Sequence, residues 1–271
     1  LADIRTPRDE IGKLAGAIAV SSRETGVGAD NLATYVRMMR ATGTTGDQAA
    51  DSVAGMTEMM RKNGLTAGDM NRIVGDTAVS AGQLNMMFGE GAAVDFTKLK
   101  GDLDGLAKSM GLAADTGSQM MNSMMNDTHA MLMMEAASGV TINSVESMGL
   151  AFAKQAKNVS PQIEQLERRI AAGGSAGAQA KIQLETLAKS YGYVNADAMS
   201  MSHNLNKMAK EMGMTIETQE DYNTVLAAAQ AEMRSNESAQ ESFNRQFVLI
   251  KDKMQLALTT MLILIGQALI P

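Results

Sequence analysis

Gly26-Val27-Gly28-Ala29-Asp30 sets a pattern that returns at Gly64-Leu65-Thr66, Gly111-Leu112-Ala113-Ala114-Asp115, Gly139-Val140-Thr141-Ile142-Asn143 and Gly213-Met214-Thr215. A glycine is followed by an apolar residue and then, within a few positions, by a side chain that caps helices. Glycine takes the left-handed conformation that closes a helix, and the apolar residue after it packs back on the finished turn. The Asp, Asn or Thr then accepts from the free amides that open the next helix. The pattern therefore predicts an all-α chain of short helices joined in glycine-broken hairpins.

Outward from these junctions, apolar residues recur at three- and four-residue spacings over 8–24, 30–41, 47–62 and 68–80, as in Leu14, Ala17, Ile18 and Leu32, Val36, Met39. Isolated helices of this length are marginal in water, so each is expected to lean on its chain neighbour. Residues 81–101 read as less regular, interrupted by Gly82, Gly89, Gly91 and Gly101, and helical pattern resumes near Asp102 through the Met-dense stretch Met120 to Met134. Asn143 and Glu146 read as a capping box opening 144–158, and Ser160-Pro161 starts the next helix. That helix runs to Ala172 and gives way to Gly173-Gly174-Ser175-Ala176-Gly177, read as a flexible connection, before helices over 178–191, 196–211 and 219–234. No run keeps the two-residue period of a strand.

From about Ser238 to Ile270 the pattern changes to one long apolar C-terminal helix. Phe243, Phe247, Ile250, Met254, Leu258, Met261, Ile265 and Leu269 line up along it, and no charge follows Met254. A helix apolar all round cannot stay alone in water. These eight residues are the candidate self-association or membrane surface, and the uncharged part is just long enough to cross a bilayer. The resulting organisation is a helical-hairpin domain over 1–172, a second hairpin segment over 173–237 and the apolar helix over 238–271.

The chain has 271 residues, 45% of them hydrophobic, with 25 Met, no Trp, no Cys and 3% aromatics. Its core must therefore be built from Ala, Leu, Ile, Val and Met, and flexible Met side chains define a single packing arrangement poorly. Modest stability is expected. The formal charge of -6 and the scatter of basic residues give no electrostatic footprint for nucleic acid. Zero cysteines exclude disulfides and thiolate metal sites. No secretory signal is visible, and a start at Leu1 with an end inside an apolar run suggests a portion of something longer.

Candidate chemistry is sparse. Gly173 to Gly177 follows a helix and lacks the Gly-Lys-Ser/Thr of a phosphate loop. Asp102-Leu103-Asp104-Gly105 matches the start of a calcium loop, but the twelfth position is Ala113, so a solvated acidic helix start is expected there. His129 and His203 have no partner at ligand spacing and read as surface or packing residues. Glu237-Ser238 and Glu241-Ser242 share the Glu-Ser pair of lytic transglycosylases without their cleft motifs. The Met pairs 59–60, 86–87, 120–121, 124–125 and the run 131–134 read first as soft core, next as adaptable partner surface, and last as a copper site that their dispersal argues against. No catalytic, metal or cofactor site is expected, and the chain does not read as an enzyme.

Two stretches carry a family resemblance. Met39-Arg40-Ala41-Thr42-Gly43-Thr44-Thr45-Gly46-Asp47-Gln48-Ala49-Ala50-Asp51, leading to Met59-Met60-Arg61-Lys62-Asn63-Gly64-Leu65-Thr66, resembles the Ala/Gly-rich helical hairpins of phage tail tape measure proteins. The end, Phe247 to Lys253 and on through Ile265-Gly266-Gln267-Ala268-Leu269-Ile270-Pro271, is similar to the helix that closes that family's core domain with Gly-x-x-Leu-x-Pro. The high Met content and residues 81–101 and 171–178 depart from the family's pattern. The resemblance implies a virion structural protein inside the tail tube or at its tip, which sets tail length and leaves ahead of the DNA. It further implies tube and tip proteins as partners, a trimer or hexamer about the tail axis, and contact with the host inner membrane during ejection. The rival expectation is a helical pore-former or effector whose hairpins shield the apolar helix before insertion.

Overall fold

The computed structural model describes residues 7–41 and 43–232, and the described residues contain helices and turns but no strand. The elements are α1 (Pro7–Thr25), α2 (Ala29–Ala41), α3 (Gly46–Lys62), α4 (Ala67–Phe88), α5 (Ala92–Ser109) and α6 (Thr116–Asn126), then α7 (Thr128–Ser138), α8 (Val145–Asn158), α9 (Ser160–Ala172), α10 (Gly174–Ser190) and α11 (Ala196–Glu211). A twelfth helical stretch, α12, is described over 219–232. The candidate surface from Phe243 to Leu269, the two Glu-Ser pairs and the expected boundary at 237/238 lie outside the described residues. Among those described, no helix is long and apolar enough to cross a membrane.

All five pattern glycines sit at positive φ: Gly26 at 70°, Gly64 at 58°, Gly111 at 71°, Gly139 at 68° and Gly213 at 72°. The hydrogen bonds explain why. After α5, the Gly111 amide donates to Lys108 and the Leu112 amide to Ala107; after α11, Gly213 donates to Lys210 and Met214 to Ala209. These paired bonds satisfy the last carbonyls of the helix and turn the chain back on itself. Val27 and Leu65 are buried by that turn, while Leu112, Val140 and Met214 pack against the core's edge. Gly192-Tyr193 makes the same motif after α10, with bonds to Lys189 and Ala188. Its capping residue, Asn195, follows within the same few positions as in the other five.

Helix starts match less well. Thr66 caps α4 with Asp69 as its capping-box partner, and Thr45 does the same for α3 with Gln48. The α8 cap is Ser144 with Ser147, one residue later than the expected Asn143 and Glu146. Ser147 Oγ accepts from the amides of both Asn143 and Ser144, so the short hydroxyl does the work assigned to the longer carboxylate.

Helices α4 and α5 replace the irregular stretch expected over 81–101. The break is confined to Gly89–Gly91, and α4 runs six turns to Phe88 because Ile73, Val74, Ala81 and Leu84 are all buried along it. Likewise α10 begins at Gly174, so Gly173 alone, at φ 73°, separates α9 from α10, which pack as a hairpin. The expected flexible connection is largely helix.

The first three helices do not pair chiefly with their chain neighbours. Helix α1 packs mainly on α3 and α2 mainly on α4, so the chain interleaves there before reverting to hairpins at α4–α5, α5–α6, α7–α8 and α9–α10. Two apolar clusters result. Leu14, Leu32, Tyr35, Val53, Met56, Met70 and Ile73 belong to the first, between α1 and the first half of α4. The second starts at Ala81 and runs through Phe96, Met120, Met121, Met124, Phe152, Ile163 and Met199 to Ala229. Helix α4 thus serves both, and the described residues up to Gln230 form one compact unit.

Candidate functional site

Helix α5 carries most of the buried charge described here. Lys100, Asp102 and Asp104 are 0%, 7% and 0% exposed, which reverses the expectation that Asp102 and Asp104 form a solvated helix start. They lie mid-helix instead. Lys100 Nζ reaches Asp76 Oδ2 at 3.1 Å and Asn122 Oδ1 at 3.0 Å, and Asn122 in turn donates to Asp76 at 3.0 Å. Asp104 accepts from the Ser118 amide and hydroxyl, both at 2.6 Å, and from Arg72 at 3.2 Å. Asn63 Nδ2 donates to Asp102 at 2.8 Å.

This network ties α4, α5 and α6 together, and the glycines beside it explain the close fit. A Cβ on Gly117 would lie 2.4 Å from Leu103 Cβ and 2.7 Å from the Asp104 amide nitrogen; one on Gly105 would lie 2.7 Å from the Asn63 carbonyl oxygen. Burial pushes the Asp104 carboxyl up, against the pull of Ser118, Arg72 and Lys100. Burial pushes the Lys100 ammonium down, against the pull of Asp76. Buried, paired charge of this kind specifies how helices meet. Most of its polar atoms face one another; Asn63 Oδ1 and Arg72 Nη1 are buried without a hydrogen bond, the latter 3.6 Å from Asp115 Oδ2.

The first two turns of α5 differ. With α3 they form a groove of about 470 Å³. Gln48, Asp51, Ser52, Gly55, Met56 and Met59 line one wall, and Gly91, Val94, Asp95, Thr97 and Lys98 line the other. Thr44, just before α3, completes it. Beneath the groove the buried Tyr35 hydroxyl lies 2.9 Å from Thr97 Oγ1 and 3.2 Å from Ser52 Oγ. Because Thr97 donates its own proton to the Ala93 carbonyl, Tyr35 donates to Thr97 and accepts from Ser52, pinning both walls to α2. Burial raises the Tyr35 phenol, keeping it neutral.

One buried polar group of the groove is unsatisfied, although Ser52, Thr97 and Gln48 all have partners. Thr44 is 4% exposed, and its hydroxyl has no partner among the described residues. Burial raises the Asp95 carboxyl, and the Glu146 charge raises it further against Lys98. A Cβ on Gly55 would meet nothing within 4 Å, so the α3 wall is open there.

His129 is exposed on α7, and His203 is fully buried on α11 with neither nitrogen hydrogen-bonded; burial lowers its pKa despite Glu167 and Glu164. No group of three His, Cys, Asp or Glu among the described residues could hold a metal ion. The Met clusters divide. Met120, Met121, Met124, Met125 and Met134 are core, whereas Met86 is 87% exposed.

No family model, curated protein or solved structure matches this chain. Function must therefore be argued from its own surfaces. The second of these is the outward face of α4, where Gly68, Gly75, Val79, Gly82 and Met86 are exposed and uncharged, with the glycines seven residues apart. The groove could be suspected in sequence only from Gly55 and Gly91, and nothing there pairs them.

Proposed function

We propose that this chain is a non-enzymatic structural component of a phage tail: the compact helical part of a tape measure protein, held in the tube lumen or tip and released ahead of the DNA. The resemblance of Met39 to Thr66 to that family's hairpins supports it. In the fold this stretch covers the end of α2, all of α3 and the turn into α4.

The observation that carries the reading is the α4 face. An exposed helix-interior glycine costs about 1 kcal/mol relative to Ala, and Gly75 contacts nothing that would justify its missing side chain. Glycines at a seven-residue repeat, alternating with an exposed Val79 and Met86, suit the close approach of another helix. Lining up with sister chains about a tail axis, as a trimer or hexamer, or with tube and tip proteins, supplies that helix. In this reading the long apolar run from Met254 to Ile270 adds self-association or contact with the host inner membrane.

The chain lacks cysteine, so Val79→Cys creates a unique thiol. Bismaleimide treatment of intact tails from the source phage should give a ladder ending at the copy number, and peptides of this chain should leave the particle on ejection. Tails that contain no such peptides would end the tail reading. Deleting 254–270 should raise the monomeric fraction in sedimentation, and unchanged association would remove that segment from the assembly surface.

A further inference from the structure

The groove between α3 and α5 is independent of the tail reading and of the α4 face. It spans about 16 Å along α3 from Gln48 to Met59, at 1.5 Å per residue, which is the length of three helical turns. Its floor holds Met56, Met59 and Val94, and unbranched thioethers adapt to whatever apolar surface meets them. Two carboxylates, Asp51 and Asp95, line it with one ammonium, Lys98, and the charge of Glu146, outside the lining, acts on Asp95. Asp51 makes no hydrogen bond or ion pair with any described residue.

We propose that this groove docks a short basic amphipathic helix from a partner protein. The partner's apolar side chains rest on Met59 and Val94, with the buried Met56 directly beneath, and its Lys or Arg side chains meet Asp51 and Asp95. The volume, about 470 Å³, exceeds what a small ammonium ion fills and suits two or three side chains of a helix. Gly55 lets the partner's backbone come close. The buried Thr44 hydroxyl, which has no partner of its own, gains a polar group from the incoming segment.

The test uses the full chain, labelled with 13C at the Met methyls, and a 14-residue Leu/Lys helical peptide, with a Leu/Glu version as control. The Leu/Lys peptide should shift the Met56 and Met59 methyl signals, identified by M56L and M59L, and titration calorimetry should give saturable binding. Gly55→Leu extends a side chain into open groove on a helix that tolerates it. It should leave the circular dichroism unchanged and weaken binding at least tenfold. Asp51→Asn with Asp95→Asn should weaken it about tenfold and flatten its salt dependence. Gly75→Leu, on the α4 face, should leave peptide binding alone. Equal binding of the Leu/Glu peptide, or of the Leu/Lys peptide to the Gly55→Leu protein, would overturn the proposal. So would a self-associated chain that Gly55→Leu dissociates, since the occupant would then be another copy.

Discussion

Helix α5 passes through two environments that use the same residue types to opposite ends. Toward its middle, Lys100, Asp102 and Asp104 are buried and each is hydrogen-bonded to α4, to α6 or to the turn after α3. In its first two turns, Asp95 and Lys98 are exposed beside the unpartnered Thr44 and the open Gly55. Glycine separates the two as clearly as charge does. Gly105 and Gly117 stand where another helix touches, whereas Gly55 faces nothing. The difference teaches that a charged residue or a glycine on a helix says little until its partner is known. Where the partner is present the group builds the fold; where it is missing the group is available for recognition.

Breaking the closed side should have the largest effect. Asp104→Ala strands the buried Ser118 amide and removes one of the carboxylates around Arg72, and unfolding in urea should show a loss of about 3–5 kcal/mol. A loss under 1 kcal/mol would mean that the network contributes little. Gly117→Ala comes next. Its new methyl meets the Asp104 backbone, which cannot swing away as a flexible side chain would, so the cost should be about 1–3 kcal/mol. On the open side the sign reverses. Gly55→Ala should stabilise by about 1 kcal/mol, since Ala is the better helix former and finds empty space. If both glycine variants were destabilising to the same degree, the contrast between the two sides would fail.

How much of this was legible in the sequence follows the same division. Helix ends were readable because they are local: Gly26, Gly64, Gly111, Gly139 and Gly213 each needed only their own turn to show their role. Helix partners were not. Nothing near α1 says that it packs on α3 rather than α2, because the choice depends on which apolar faces meet after the chain has turned twice. The Asp102-Leu103-Asp104-Gly105 stretch was misread for that reason. Its acidity was visible, but the groups that satisfy it, Asn63, Arg72 and Ser118, lie on α4, on α6 and in the turn after α3. A signal was present in Lys100 and Asp104, four residues apart beside Gly101 and Gly105, which marks a helix face made for close crossing. The groove left a fainter trace, since its two walls come from segments some forty residues apart.

The smallest predicted effect tests the electrostatics of the open side. Asp95 is raised from its ordinary value of 3.8 by burial and then by the Glu146 charge, with Lys98 opposing. A carboxyl raised on folding contributes stability that is fully present below its unfolded pKa and is lost as pH rises through the folded one. At neutral pH wild-type Asp95 therefore carries a small penalty, which Asn lacks. Relative to wild type, Asp95→Asn should gain stability as pH is raised from below 3.8 toward 7 and then level off, read as the shift in urea midpoint. Glu146→Gln should shrink that gain by removing the second cause, with burial left in place. A midpoint difference that ignores pH would mean that Asp95 is not under the field of its neighbours, and the acidic rim would lose the group on which its preference for a cationic partner most depends.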